Sequence, residues 1–214
     1  MAAAVPVIVL ETERLILRQL EWDDLDALAA MMSDAETMRY IGNGSPKTRE
    51  QTRRLLGFWI SDGERAWDEH TLHRLPQLRR AIERDGHFSL WGTVEKRTNR
   101  LIGRCGLLAW DFGDRKETEV GYLIARPYWG RGYATEAACG VRDYGFRQLG
   151  FNRLISLIQP GNLASQRVAI KNGMTHERDV KVGQIDAMEF AVERQPTVKK
   201  SEHESTRIST NLHE

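Results

Sequence analysis

The chain has 214 residues, two cysteines, 29% charged residues and a formal net charge of +1, with a mean hydropathy of −0.50. This length and balance suit one folded domain with a full core, and they exclude a strongly basic nucleic-acid surface, a disulfide framework and a zinc site of CxxC type. The apolar opening from Val5 to Leu10 is too short for a membrane span, lacks a basic leading region and runs into Glu11 and Glu13, so the expectation is a cytoplasmic protein with no membrane or nucleic-acid partner.

In chain order, residues 14–18 read as a strand and 22–32 as a helix with Asp23 or Asp24 near its N-cap. Asn43-Gly44-Ser45-Pro46 is a turn, and a second helical region starts at Thr48, with Leu55, Leu56, Trp59 and Ile60 at helical spacing. It continues past Gly63 through Trp67, Leu72, Leu75, Leu78 and Ile82, side chains read as core, with Pro76 kinking or dividing it. Residues 87–95, 101–110 and 118–124 read as strands, 133–150 as a helix stopped by Gly150, and 153–159 as a further strand. Residues 163–172 form a short helix ended by Gly173, and 175–182 and 185–193 pair as a hairpin. Beyond Pro196 the polar tail has no apolar periodicity and reads as disordered over 195–214. Cys105 and Cys139 read as small buried or half-buried thiols, and the six histidines show no ligand spacing, so no metal is expected.

Two constellations carry chemistry. The β-prone run from Val120 to Ile124 enters a Pro127 bend, which opens through Gly130 and Gly132 into an Ala-rich helix start. Successive backbone N–H groups of such a turn point inward, and the first N–H groups of a helix have no internal partner, so the turn is an anion site that suits phosphate. Neither GxxxxGK[ST] nor an early GxGxxG with its acidic partner is present, which leaves a pyrophosphate held by backbone alone. The second constellation places Asn162 just before a helix and Ser165 one turn into it, where an N-cap and a small helical residue are the ordinary roles.

Together these stretches resemble the GCN5-related N-acetyltransferases, and within them the RimJ/RimL-like branch of ribosomal-protein N-terminal acetyltransferases, over about residues 10–194. The residues that carry the resemblance are Trp-Gly-Arg-Gly-Tyr-Ala-Thr-Glu-Ala at 129–137 and Asn-x-x-Ser-x-x-x-Ala-x-Lys-x-Gly-Met at 162–174. Glu-Val-Gly-Tyr at 119–122 and Glu-Arg-Leu-Ile-Leu-Arg at 13–18 add to it. The fold class it implies is α/β (α+β), a mixed and mostly antiparallel central sheet of about seven strands flanked by about four helices; residues 62–86 depart from it as an extended helical insertion, longer than the usual link there.

The resemblance implies acetyl transfer from acetyl-CoA to a primary amine, on a protein N-terminus or a small molecule, in a chain that would form a homodimer. Trp129, Gly130, Arg131, Gly132, Tyr133, Ala134 and Thr135 would hold the pyrophosphate, and the backbone of Leu123 and Ile124 the pantetheine amides. Asn162 and Ser165 would meet the pantetheine arm, and Arg126, Arg131 or Lys171 the outer phosphates. Glu119 is implied as the general base. Ala169 stands where many members of the wider family have a tyrosine, which would leave Ser165 as the hydroxyl available to the departing thiolate. Other readings are transfer of another acyl group such as succinyl, and a non-catalytic acyl-CoA-binding module.

Overall fold

The structure, a computed structural model, describes residues 7–61 and 90–195. The strands are β1 (Ile8–Glu11), β2 (Leu15–Arg18), β3 (Leu90–Glu95), β4 (Arg100–Asp111), β5 (Lys116–Ile124), β6 (Arg153–Ile158), β7 (Thr175–Val182) and β8 (Ile185–Glu193). They form one sheet in the order β1-β2-β3-β4-β5-β6-β8-β7. Every neighbouring pair is antiparallel except β5 and β6, which run parallel and meet at a single register pair, Glu119 with Ile155.

The sheet has eight strands against the seven expected, because Ile8–Glu11 pairs with β2 and lays Leu10 opposite Leu17. A short apolar run with no turn signal before it becomes a strand here by pairing with β2 in a local hairpin across residues 12–14. The helices are α1 (Leu25–Ser33), α2 (Ala35–Met38), α3 (Arg49–Ser61), α4 (Tyr133–Arg147) and α5 (Leu163–Lys171). A 3-10 turn at Trp22–Asp24 precedes α1, and Asp34 separates α1 from α2 by accepting from the Thr37 backbone N–H at 3.0 Å. α4 stops at Arg147, short of the residue 150 expected, and the left-handed Gly150 (φ 75°) turns the chain toward β6.

Three layers result. Tyr133, Ala137, Ala138 and Val141 of α4 pack against Leu15, Leu17, Trp91 and Val120 on one face of the sheet, the larger core. On the other face α1 and α3 bury Leu25, Leu28 and Leu56 with Leu20, and Met31, Met32 and Met38 cover Leu123. Trp59 packs into both of these smaller clusters. The expected helical insertion at 62–86, with Trp67, Leu72, Leu75 and Leu78, and the tail from Pro196 lie outside the described residues.

Candidate active site

The glycine turn sits where β5 leaves the sheet. Gly130 and Gly132 have φ of 73° and 81°, left-handed values that a side chain resists, and Gly132 is the N-cap of α4. The turn is braced from outside. Glu136, in the first turn of α4, accepts from Thr12 Oγ1 at 2.5 Å, from the Arg14 backbone N–H at 2.7 Å and from Arg14 Nε at 2.6 Å. Arg14 also donates to the Arg131 carbonyl at 3.0 Å and lies 4.5 Å from the Tyr133 ring centroid. The opening strand therefore locks the far side of the turn while its inner side faces a cavity.

That cavity lies in the gap between β5 and β6. Along β5 the backbone groups alternate between the two neighbours. The Ala125 N–H donates to the Ile102 carbonyl at 2.9 Å, toward β4, whereas the Val120 carbonyl accepts Ser156 Oγ from β6 at 2.9 Å. By this alternation Leu123 is committed to β4, opposite Arg104, while Tyr122 and Ile124 present N–H and C=O to the gap. Of the two positions expected to offer their backbone as a rail, Ile124 faces the gap and Leu123 does not, and Tyr122 faces the gap in its place. The Ile124 carbonyl already accepts the Trp129 indole N–H at 2.6 Å.

A cavity of about 470 Å³ runs along this rail, lined by Leu123, Ile124, Trp129, Gly130, Gly132, Tyr133, Ala134 and Thr135 on one side and Asn162, Ser165, Val168 and Lys171 of α5 on the other. A second, of about 270 Å³, is lined by Arg104, Leu108, Trp110, Glu119, Gly121 and Leu157. Tyr40, Ile41, Tyr122, Asn162 and Ser165 border both. The two spaces meet where the sheet splays.

Glu119 is 9% exposed. Its Oε2 accepts the Trp110 indole N–H at 2.5 Å and its Oε1 the Leu157 backbone N–H at 3.3 Å. Burial pushes its carboxyl above the ordinary glutamate value, and the Trp110 bond, the Leu157 bond and the charge of Arg104 pull the other way. Asn162 caps α5 by accepting from the Ser165 N–H at 3.2 Å. The Ser165 hydroxyl makes no hydrogen bond among the described residues, and the Ser165 carbonyl accepts Tyr122 Oη at 3.0 Å across the gap. Burial raises the Tyr122 phenol well above its usual range, so it stays protonated.

A family model described as the acetyltransferase (GNAT) domain matches residues 14–175. The chain belongs to the GNAT acetyltransferases. It is 34% identical over 173 residues to the protein YkkB of Bacillus subtilis (strain 168), covering 80% of this chain and 88% of that protein. A GNAT-family acetyltransferase of Bacillus anthracis superimposes with a TM-score of 0.64 at 26% identity, over 86% of this chain and 96% of that one. The ribosomal-protein acetyltransferase RimL, solved in complex with coenzyme A, has the same fold, with a TM-score of 0.65 at 17% identity over 87% and 97% of the two chains. As a GNAT enzyme the protein is an acyl-CoA-dependent N-acetyltransferase acting on an amine.

Within this GNAT domain the expected residues gather with few exceptions. Glu119, Asn162 and Ser165 border the smaller cavity, and the loop residues line the larger one, apart from Arg131. The Arg131 guanidinium stacks 5.7 Å from the Tyr128 ring, and Arg126 pairs with Asp34 at 3.4 Å, so neither cation lines the cleft. Lys171 does, joined by Arg39 and Arg167, which sequence reading passed over. Ala169 is buried in the core. Also unforeseen were Trp110, Tyr122 and Arg104 as cleft residues; the one signal for Arg104 is a lone charge inside the apolar run from Leu101 to Ala109.

Proposed function

We propose that the larger cavity holds acetyl-CoA and that the smaller one receives a primary amine, the two substrates meeting at the splay between β5 and β6. The observation that carries this reading is the junction itself. Ser165, whose hydroxyl is free among the described residues, and the strand edge at Tyr122 border both cavities, and the buried Glu119 carboxylate lines the smaller one.

The fit to acetyl-CoA rests on the donor set. The N–H groups of residues 129–135, at the start of α4, suit a pyrophosphate, and Tyr122 and Ile124 offer a strand edge to the pantetheine amides. Lys171, Arg39 and Arg167 supply positive charge along the same wall. Acetyl-CoA supplies an activated thioester. The acceptor reaches the site as an ammonium and passes a proton to Glu119, directly or through water, before its nitrogen bonds to the acetyl carbon as the carbon–sulfur bond breaks. A carboxyl raised by burial is better matched to that task near neutral pH than an ordinary glutamate. The Ser165 hydroxyl, which borders both cavities, would donate to the sulfur as negative charge leaves on it.

The test is free-thiol release from acetyl-CoA across a panel of amines. The reading predicts saturable acetyl-CoA binding and amine-dependent release. Absence of binding heat at saturating acetyl-CoA would overturn it, and preference for another acyl-CoA donor would reassign the acyl group.

A further inference from the structure

Arg104 is the least satisfied charge in the molecule's described part. It lies on β4, a strand with neighbours on both sides, and is 8% exposed. Its Nε is buried with no hydrogen-bond partner, and among the described residues its guanidinium makes no hydrogen bond or ion pair. Its guanidinium lies over the Trp59 ring, 4.8 Å from the centroid. Burial pulls its pKa down to about 10, which still leaves it charged at neutral pH. Trp59 attracts the face of the cation but satisfies none of its N–H groups.

The fold points this group into the acceptor cavity. Arg104, Leu108 and Trp110 of β4 lie on the same side as Gly121 and Glu119 of β5, and all five line the smaller space. Between the two charges Leu108 packs over Gly121, where a Cβ would meet Leu108 Cδ1 at 3.1 Å. Glu119 and Arg104 influence each other electrostatically without forming an ion pair. One cavity thus offers a carboxylate and a guanidinium that is unpaired among the described residues. A guanidinium presents several N–H donors in a planar fork that matches an oxyanion. Leaving it buried and unpaired is costly, and an anionic ligand removes that cost.

We propose that Arg104 is the anion receptor of the acceptor cavity, and that the acceptor is a small primary amine carrying an oxyanion, of the amino-acid class. The cavity's size, about 270 Å³, fits such a molecule. A polyamine or aminoglycoside would bring more positive charge beside Arg104, which disfavours both. The proposal rests on the transferase reading above, because it assigns the smaller cavity to the amine.

The experiment compares matched acceptors by thiol release: free amino acids, their C-terminal amides, aminoalkylphosphonates, and polyamines. The expected result is a kcat/KM at least tenfold higher for the acid than for its amide, with Arg104→Gln bringing the acid down to the amide by raising its KM. Preference for phosphonates over carboxylates would identify the oxyanion and keep the receptor. Equal use of acid and amide by the wild type, preference for polyamines, or an unchanged ratio in Arg104→Gln would overturn the proposal. Should Arg104→Gln fail to fold, the wild type alone decides: short carboxylates without an amine must inhibit competitively against the acceptor, and their amides must not. If acetyl-CoA binds but no amine releases thiol, the transferase reading falls while the receptor is still read by thermal shift. Carboxylates must then stabilise the wild type and not Arg104→Lys or Arg104→Gln to the same extent; equal shifts refute it.

Discussion

The indole N–H of Trp110 donates to Glu119 Oε2 at 2.5 Å, joining a side chain of β4 to the carboxylate of the strand beside it. The bond favours the ionised carboxylate while burial opposes it. Trp110→Phe removes the favourable part and leaves the burial. The acid limb of the kcat/KM profile should therefore move to higher pH, with acetyl-CoA affinity unchanged. An acid limb that stays in place would remove Glu119 as the group that limb reports.

Glu119→Gln keeps the shape and loses the base. Turnover should fall by about 10²-fold or more, the usual contribution of a positioned general base, and the acid limb should disappear. Acetyl-CoA binding, measured by calorimetry, should be unaltered because Glu119 does not line the larger cavity. Unchanged turnover would assign Glu119 to structure alone.

Gly130 separates conformational from electrostatic effects in the loop. Its φ is 73°, and a Cβ there would meet nothing within 4 Å, so a side chain has room. Asparagine tolerates left-handed backbone better than most residues, and Asp has the same shape with a negative charge. Gly130→Asn should bind acetyl-CoA within a few-fold of wild type, while Gly130→Asp should lose about tenfold or more, roughly 1.4 kcal/mol, through repulsion of the pyrophosphate. Equal affinities for the two variants would place the pyrophosphate elsewhere.

The order of elements was legible because Gly130, Gly132, Asn162 and Gly173 punctuate the chain at turns whose geometry needs those residues. The loop and α5 line the larger cavity, and Glu119 lines the smaller one. What stayed hidden depends on pairing between strands. Whether Leu123 or Tyr122 offers its backbone to the gap is set by the register Arg104 with Leu123 on the neighbouring strand, and a one-residue slip would reverse it. Trp110 reaches Glu119 only because Leu108 lies opposite Glu119. Arg104 was visible as a residue and silent as a site, since a charge in a strand ordinarily faces water, and only the full sheet shows β4 buried under α3 and Trp59.

Glu136 makes the loop's outer brace testable apart from its inner chemistry. Its carboxylate accepts three hydrogen bonds from Thr12 and Arg14, two of them at the Arg14 backbone and guanidinium. Glu136→Ala should lower unfolding stability by ~3 kcal/mol, since hydrogen bonds to charged groups contribute about 1.5–3 kcal/mol each and do not add fully. It should also weaken acetyl-CoA binding, with turnover at saturation nearly preserved. A loss of turnover at saturating substrates would show that the brace shapes the reacting end as well.

At the far end of β6, Arg153 donates to both oxygens of Glu177 at 2.8 Å, and it also contacts Glu117 at 3.2 Å and Glu189 at 3.2 Å. The hydrogen bonds and charge of Arg153 hold the Glu177 carboxyl down at about 2, from an ordinary 4.5. A depressed carboxyl binds its proton more weakly in the folded than in the unfolded chain. Its stabilising effect is therefore complete above pH 4.5 and is lost as pH falls toward 2. Urea melts of the wild type should weaken across that window, and Glu177→Gln should flatten the slope while costing stability at neutral pH. Identical slopes would mean that Glu177 and Arg153 are paired no more tightly when folded than when unfolded.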